Sequence, residues 1–522
     1  MVTAQVDYAI VGGGTAGCVL ANRLSADARH RLLLLEAGPR DNYLWIHIPI
    51  GYAKTMFHPV YNWRFETDPE PNLKGRRVYW PRGRGLGGSS SINGLIYVRG
   101  EHEDYDAWEA LGNRGWGWQG VLPYFERSQL ATSAIGEQHE LMEAIIRAAG
   151  ELGHERNDDF NGGRQEGVGY YRLFTKNGWR SSSATAYLRP AEKRANLEVQ
   201  CGAHATRILF EGTRAVGVRY RQGSAEREVR AAREVIVAAG ALQSPQLLQL
   251  SGVGPGALLQ SFGIPVVKDL PGVGENLQDH LQLRLLFKCT RPITTNDDLA
   301  SGWRSAAIGL KWLLFRKGPL AIGINQGGLF ARALPESKTP DVQFHFATLS
   351  ADTAGAKPHP WSGFTMSVCQ LRPESRGRVR INSADAFAPP SMLANYLAAQ
   401  LDRRCALAGL RLARSLASTD ALRPYIAEEY RPGAQAQSDD QLLDFARSYG
   451  ATIFHPSGTC RMGRDPMAVV DERLRVHGIG GLRVVDCSIM PNLISGNTAA
   501  PVVMIAEKAS DLILEDAAGA TA

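Results

Sequence analysis

The sequence has little of what marks membrane-spanning, nucleic-acid-binding and disulfide-linked proteins. Its 522 residues include only seven cysteines, an odd and widely spaced set with no C-x-x-C pair and no zinc-site spacing. No run approaches the roughly 18 apolar residues that a membrane-spanning helix needs. The formal net charge is only +6, and basic residues are scattered among acidic ones, so nothing indicates a nucleic-acid partner. We also expect no bound metal.

What remains fits a mildly basic, soluble enzyme. Cysteines without a pairing pattern favour a reducing compartment, so we expect a cytoplasmic protein. The chain leads by Asp7 straight into a strand, which leaves no room for a signal peptide. With 44% apolar residues over this length, the chain can bury two or more folding units. Peripheral contact with the inner face of the membrane stays open, and so does the oligomeric state.

The first 40 residues have the pattern of a β-α-β unit that binds a dinucleotide. A buried strand at 6–11 leads into Gly-Gly-Gly-Thr-Ala-Gly at 12–17, a helix to residue 25 and a second strand at 31–36. In this G-x-G-x-x-G pattern the glycines permit a tight turn, close approach of a pyrophosphate, and close packing of helix on strand. The helix N-terminus offers N–H groups to phosphates, and Glu36 can accept hydrogen bonds from ribose hydroxyls.

The rest of the chain alternates between the two kinds of periodicity. Residues 40–120 are rich in Gly, Pro, Trp and Tyr, which predicts mainly extended segments and loops. Further strands are predicted at 197–200, 206–211, 215–220, 234–240, 342–347 and 364–370. Helices are predicted at 140–153, 303–315 and 400–417 and at the end of the chain.

Five segments resemble the glucose–methanol–choline oxidoreductases. The first family signature is matched by Pro-Arg-Gly-Arg-Gly-Leu-Gly-Gly-Ser-Ser-Ser-Ile-Asn at 81–93, and the second by the segment 240–254, which begins Gly-Ala-Leu-Gln-Ser-Pro. The other three segments lie at 62–65, 274–280 and 455–463. The resemblance runs from the first strand to the last helix, and it is closest to the choline dehydrogenase-like branch, which includes bacterial dehydrogenases of primary aliphatic alcohols.

This resemblance implies an α/β protein with two domains. A Rossmann-like FAD-binding domain, discontinuous in sequence, is expected to comprise residues 1–155, 195–300 and 440–522. An α+β substrate-binding domain, built from a sheet with helices, is expected to comprise residues 156–194 and 301–439.

The resemblance also favours FAD over NAD and implies the residues that bind it. Small residues at 87–91 allow backbone to lie against a flat isoalloxazine ring. Ile92 stands where some relatives attach the flavin through a histidine, so we expect FAD to be held non-covalently. The expected cofactor-binding residues are Gly12, Gly14, Thr15, Ala16, Gly17, Glu36, Ala37, Trp63, Arg82, Leu86, Gly87, Gly88, Ser91, Asn93, Gly94, Ile96, Ala205, Ala239, Gly240, Asp486, Asn497 and Thr498.

The same resemblance implies a catalytic pair. Oxidation of an alcohol needs a base that takes the hydroxyl proton as hydride leaves the carbon, and a polar group that holds the oxygen. His455 is the expected base and Asn497 the expected partner, which orients the alcohol and stabilises developing alkoxide character. The last helix, with Thr498 as its cap, is expected to point its N-terminus at the flavin. Ala499 departs from relatives, which usually have Asn there, so a hydrogen bond near the flavin is expected to be missing.

The substrate is expected to be a primary aliphatic or aromatic alcohol. The reason is an apolar and aromatic set in the second domain, namely Trp303, Trp312, Leu313, Leu314, Phe315, Phe344, Phe346 and Trp361. The electron acceptor stays open among a quinone, a dye and O2, so an oxidase or a choline dehydrogenase is an alternative. A lyase or a flavin-binding protein without turnover is disfavoured because both His455 and Asn497 are present.

The helix at 303–315, followed by Arg316 and Lys317, allows two interpretations. It can cover the substrate cavity from inside the protein, which we favour. It can instead face lipid or a quinone.

Overall fold

The first of two large sheets is built around the glycine turn. In the computed structural model, which describes residues 4–519, the strand Ala4–Val11 pairs in parallel with Leu32–Glu36 on one side and Ala225–Val237 on the other. Leu197–Cys201 extends the sheet beyond Leu32–Glu36, again in parallel. On the other side Ala203–Glu211 and Arg214–Gln222 form an antiparallel meander with Ala225–Val237, and Leu482–Val484 pairs in parallel with its end. The expected α/β class is confirmed.

The second large sheet is antiparallel and has one apolar and one polar face. Its strands lie in the order Ile426–Arg431, Leu281–Cys289, Gly363–Gln370, Val342–Ala347, Asn325–Ala331 and Gly167–Tyr170, and Ala451–Thr452 also pairs with Leu281–Cys289. Apolar side chains alternate along the strands and pack in one core with the helices Glu140–Glu151 and Gln400–Ala417. The alternate positions turn to the opposite face, where Arg284 lies opposite Ser367 and Ser367 opposite His345.

Helices connect and cover the sheets. Those of six residues or more are Thr15–Leu24, His102–Ala110, Trp118–Glu126, Glu140–Glu151, Gly240–Leu250, Gly256–Ser261, Thr295–Ala300, Gly302–Phe315, Gln400–Ala417, Asp439–Tyr449 and Ala499–Gly519. Short strand pairs lie outside the two sheets, joining Val253–Gly254 with Lys268–Asp269, Arg378–Arg380 with Ser391–Leu393, Phe65–Glu66 with Tyr79–Trp80, Ile96–Tyr97 with Arg172–Leu173, and Thr175–Lys176 with Trp179–Arg180. No helix within residues 4–519 has the length and apolarity needed to cross a bilayer.

The sheet pairings differ from the domain division expected from the sequence. The strand Leu281–Cys289 belongs to the second sheet, and Glu140–Glu151 packs on it, although both fall in segments assigned to the FAD-binding domain. Conversely, the turn Ala184–Leu188 packs against Thr15–Leu24 in the first core. The chain passes between the two large sheets more often than the sequence predicts. Periodicity shows that a strand is half-buried, but it does not show which sheet the strand joins.

Two further elements were not expected. The helices His102–Ala110 and Trp118–Glu126 lie in or beside a region predicted as loops, and the first of them begins with a capping box formed by Glu101 and Asp104. The last helix is buried on every side from Ala500 to Ser510 rather than along one stripe. Its neighbours on different sides are Thr15–Leu24 and Trp118–Glu126.

Gly17 provides a test of the close packing between the first helix and the glycine turn. A Cβ at Gly17 would lie 1.8 Å from the carbonyl oxygen of Gly12, which is a backbone atom and cannot swing away. Helix propensity alone predicts that Gly17→Ala stabilises the protein, whereas overpacking predicts a loss of about 1–3 kcal/mol or more. We expect a lower Tm for Gly17→Ala in thermal unfolding. The matched control is Gly150→Ala in the helix Glu140–Glu151, whose Cβ would meet no other atom within 4 Å and which should leave Tm at or slightly above that of the parent. A Gly17→Ala protein as stable as this control would contradict the packing argument.

Candidate active site

A large cavity lies between the two sheets. Its empty volume, counted with the open mouth, is about 2100 Å³. On one side it is lined at the carboxyl ends of the parallel strands, by Val11, Glu36 and Ala238. On the other side it is lined by the polar face of the second sheet. The position fits a nucleotide at the strand ends with room beside it for a second molecule.

Two glycine-rich turns meet at the strand ends because neither carries side chains there. Gly12 has φ +106°, and a Cβ on it would lie 2.5 Å from the carbonyl oxygen of Ala238. The N–H of Gly87 donates to the carbonyl of Gly13 at 2.8 Å, and a Cβ on Gly88 would lie 2.7 Å from the Cα of Gly14. Gly14 itself stays open to the cavity at the start of the helix Thr15–Leu24. A pyrophosphate can therefore approach the backbone at this helix N-terminus.

Glu36 ties the two glycine turns together. Its Oε1 accepts hydrogen bonds from the N–H groups of Gly38 (2.7 Å) and Gly85 (2.9 Å), and its Oε2 accepts one from Gly13 (2.8 Å). Burial raises the pKa of the Glu36 carboxyl, and the three N–H bonds oppose that rise. A carboxylate has about four acceptor positions, so one on Oε2 is left for a ribose hydroxyl.

Asp486 holds the turn that follows the long central strand. Its Oδ2 accepts from the N–H of Gly240 (2.8 Å) and the hydroxyl of Ser244 (2.6 Å), and its Oδ1 accepts from the N–H of Ser488 (2.8 Å). Gly240 begins the helix Gly240–Leu250, and a Cβ added to it would meet no other atom within 4 Å, so its cavity side is open. The carboxylate thus fixes backbone that faces the cavity.

The structure brings most of the expected site residues to one cavity. All of the cofactor-binding residues expected from the sequence line it except Gly17, Leu86, Gly87 and Ser91. These four lie behind the wall, where the hydroxyl of Ser91 donates to the carbonyl of Leu86 at 2.8 Å. Ile92, Asn497, Thr498 and Ala499 also line the cavity, so the last helix begins at its wall. Ala499 leaves no side-chain donor at its position.

His455 and Asn497 are in contact at the cavity wall. Their Nε2 and Nδ2 atoms lie 3.2 Å apart, and both residues face the cavity. The backbone N–H of His455 donates to Oδ1 of Asp279 at 2.8 Å, which fixes the position of the ring. Burial holds the pKa of His455 well below its usual value, and the nearby His280, His345 and Arg82 lower it further. The imidazole is therefore neutral at neutral pH.

Three residues that sequence reasoning gave no role complete this constellation. The Nδ1 atom of His280 lies 2.9 Å from Nδ1 of His455, and its Nε2 lies 2.9 Å from the carbonyl oxygen of Leu371. The Nε2 of Gln343 donates to Oδ1 of Asn497 (3.2 Å) and to the hydroxyl oxygen of Tyr171 (3.0 Å). The only sequence signal was the segment 274–280, which ends at His280. Gln343 and Tyr171 lie in no motif.

The apolar residues used to infer the substrate do not line this cavity. Phe344 and Phe346 point to the other face of the second sheet and belong to its core. The helix Gly302–Phe315 does not cover the cavity from inside, because Trp312 is its only fully buried residue. The interpretation of this helix as an internal cover is wrong. The sequence shows that the helix is apolar, but it does not show that nothing packs on it.

Comparison with known proteins places the chain in a family. Two family models described as GMC oxidoreductase match residues 6–282 and 373–506. The chain is 43% identical to an alcohol dehydrogenase (acceptor) of Pseudomonas putida, over 97% of this chain and 95% of that protein. It is 45% identical to an oxygen-dependent choline dehydrogenase of Pseudomonas putida strain GB-1, over 98% and 94%.

The likeness extends to solved structures. An FAD-dependent oxidoreductase from Chaetomium thermophilum superimposes on the chain with a TM-score of 0.91 at 27% identity, covering 98% of this chain and 99% of that one. The double glycine turn, the paired His455 and Asn497 and the full-length matches lead to one conclusion. The chain belongs to the glucose–methanol–choline oxidoreductases.

Proposed function

We propose that the protein oxidises a primary alcohol to the aldehyde with non-covalently bound FAD and passes the electrons to a quinone or another acceptor. The observation that carries the proposal is the contact between His455 and Asn497 on the wall of the cavity that also holds both glycine turns. The names of the relatives, an alcohol dehydrogenase and an FAD-dependent oxidoreductase, support it. Choline dehydrogenation remains the alternative that the second relative's name suggests.

The residues present fit FAD. Gly14 and Gly240 leave backbone open for the pyrophosphate and its neighbours, and Glu36 keeps an acceptor for a ribose hydroxyl. Ile92, on the cavity wall, has no nucleophilic atom with which to bond to a flavin, which supports non-covalent binding. When bound, FAD supplies the acceptor for the hydride.

The hydrogen-bond chain determines which nitrogen of His455 is free to act as a base. The carbonyl of Leu371 can only accept, so His280 donates from Nε2. Burial lowers the pKa of His280 to about 4, so the neutral ring must accept at Nδ1. His455 therefore donates from Nδ1 and carries its lone pair on Nε2. Asn497 agrees with this assignment, because its Oδ1 accepts from Gln343 while its Nδ2 donates to that lone pair.

This arrangement assigns a step to each side chain. The substrate hydroxyl donates to Nε2 of His455, which takes its proton as the hydride leaves the carbinol carbon. Asn497, displaced from Nε2, donates its amide N–H to the alcohol oxygen and stabilises developing negative charge there. His280 is a positioning residue, since it contacts His455 without lining the cavity and holds the His455 ring in the useful tautomer.

Replacement of His455 tests the base. In His455→Ala we expect FAD to stay bound and the rate of anaerobic flavin reduction by 1-octanol to fall by about 10²- to 10⁴-fold. Stopped-flow absorbance measures this rate. His154→Ala, a partly buried histidine away from the cavity, is the control and keeps the parental rate. A near-parental rate of flavin reduction in His455→Ala would refute the assignment of His455 as the base. In the parent, reoxidation of the reduced flavin by O2 or by a quinone distinguishes an oxidase from a dehydrogenase.

A pair of variants tests the tautomer. His280→Ala removes the acceptor for His455 Nδ1–H, so we expect flavin reduction to slow by about tenfold or more and its pH profile to shift. His280→Asn places a carbonyl oxygen near the lost Nδ1 and is expected to recover most of the rate. The parental rate should stay constant as the pH falls through 6.5 and decline only at lower pH, where His455 becomes protonated, because its pKa is held well below the usual value. Equal rates and equal pH profiles in parent, Ala and Asn variants would show that His280 is only structural.

The cellular location that fits best is the cytoplasm, with the helix Gly302–Phe315 resting on the inner face of the membrane. Its exposed apolar side chains are Trp303 (82%), Leu310 (56%), Leu313 (59%), Leu314 (62%) and Phe315 (66%). Lys317 is exposed at the end of the helix, and Arg316 stacks on Trp179 and Trp312. An apolar surface edged by cations fits an anionic lipid bilayer.

Vesicle binding tests this location. We expect the protein to sediment with phosphatidylglycerol-containing vesicles, less with pure phosphatidylcholine and less at high salt. Trp303→Ser/Leu314→Ser/Phe315→Ser should abolish the binding, whereas Leu152→Ser/Val266→Ser/Phe387→Ser, three exposed apolar residues elsewhere, should not. Absence of binding, or self-association through this helix in sedimentation velocity, would overturn the proposal.

A further inference from the structure

The cavity wall formed by the second sheet, which we call the substrate side, contains a cation and hydrogen-bonding groups but no carboxylate. Among the described residues, the only acidic side chains on its wall are Glu36 and Asp486. Both are held by backbone N–H groups on the nucleotide side. The facing wall is the polar side of the second sheet, whose cavity-lining residues are Gln282, Arg284, Asn325, His345 and Ser367.

Arg284 is the unusual member of this wall. Its guanidinium makes no hydrogen bond or ion pair within residues 4–519, and its Nε is buried without a partner. The positive charge of Arg431 repels it, and Arg431 is itself paired with Asp352. Burial lowers the pKa of Arg284 to about 10, so the side chain is still a cation at neutral pH. An unpaired charge in such a place destabilises the fold, which is a cost that a ligand's anion can offset.

The position of Arg284 relative to the catalytic pair limits the length of a ligand that reaches both. Arg284 lies four residues beyond His280, so their Cα atoms are about 13 Å apart at 3.3 Å per residue, and the reach of the Arg284 side chain leaves a shorter span for the ligand. His280 contacts His455, and Gln282 lies between on the same face of the sheet. A molecule that spans from His455 to Arg284 therefore has its hydroxyl and its anionic group at opposite ends.

We propose that Arg284 binds the terminal carboxylate of the substrate, so that the preferred alcohols are straight-chain ω-hydroxy acids. The inference rests on the proposed alcohol oxidation. The carboxylate takes no part in the chemistry and serves only to place the hydroxyl between His455 and Asn497. Arg guanidinium suits this role because its planar fork can donate two parallel hydrogen bonds to a carboxylate.

The same wall argues against a quaternary ammonium substrate. Choline would bring a fixed cation to the wall that carries Arg284, whereas the carboxylates of the cavity lie on the nucleotide side. Within the described residues, none of the cavity-lining side chains of the second sheet is acidic. The similarity to choline dehydrogenases therefore does not support choline as the substrate of this protein.

The experiment compares substrates of equal length in the holoenzyme. Anaerobic flavin reduction is measured with ω-hydroxy acids of six, eight and ten carbons and with the 1-alkanols of equal length. The highest ratio of acid to alkanol kcat/KM values is followed in parent and variants. In the parent we expect a ratio of about 10 to 100, because a charge-assisted hydrogen bond to the carboxylate favours the acid by this factor. In Arg284→Gln we expect the ratio to fall at least tenfold. Arg284→Lys should keep part of the ratio. The control is Arg291→Gln, an exposed arginine paired with Glu140, which should leave the ratio unchanged.

The outcomes separate this inference from the proposed function. A parental ratio near or below one, or a ratio that Arg284→Gln does not change, overturns the role of Arg284 while alcohol oxidation stands. If none of these acids and alkanols reduces the flavin, the proposed function itself fails. Flavin content and Tm of each variant verify folding. If Arg284→Gln does not fold, the salt dependence of the parental ratio decides, because a ratio that high salt does not lower overturns the inference.

Discussion

The hydrogen bond between the Nδ1 atoms of His280 and His455 is the contact on which the site depends. It joins the start of a strand in the second sheet to a residue near the end of the chain. The residue before it, Asp279, accepts the backbone N–H of His455, and Gln343, on another strand of that sheet, holds Asn497. The second sheet therefore orients the side chains of both His455 and Asn497, although neither residue belongs to it. This is possible because successive segments of the chain alternate between the two large sheets.

The buried carboxylates show how the protein stabilises charge in its interior. Asp279 accepts from the backbone of His455 and from the hydroxyls of Thr452 and Tyr396. Glu36 and Asp486 each accept three hydrogen bonds in the same way. Donors of this kind compensate the loss of hydration, so these groups are anchors for backbone. No described residue pairs with the guanidinium of Arg284, which faces the cavity, and this contrast is why we propose a ligand as its partner.

Local patterns in the sequence were sufficient where the structure depends on neighbours in the chain. The glycine turn, its flanking strands and the helix Thr15–Leu24 form one continuous unit, so their arrangement follows from spacing and periodicity. The strands near 342–347 and 364–370 were also located correctly, since alternation marks a half-buried strand. The contact between His455 and Asn497 could be expected only through the family resemblance, because 42 residues separate them.

What could not be predicted depends on contacts between distant segments. His280, Gln343 and Tyr171 act through side chains that meet only after both sheets have formed. The helix Gly302–Phe315 shows the opposite failure. Its apolar composition fits burial, yet its surroundings leave all but Trp312 at least partly exposed. Composition measures what a segment would gain from burial, and the rest of the chain determines whether it is buried.

If a substrate is bound at both its hydroxyl end and its carboxylate end, the cavity can select substrates by length without an aromatic wall. An apolar pocket distinguishes molecules that differ by one methylene only weakly, whereas a pocket with fixed polar groups strongly rejects a molecule that leaves them unpaired. In the proposed binding mode His455 and Asn497 bind one end and Arg284 binds the other, so a substrate of the wrong length leaves a polar group unsatisfied. Length selection then follows from the spacing along a single strand, which the rigid pairing of Arg284 with Ser367 and of Ser367 with His345 maintains.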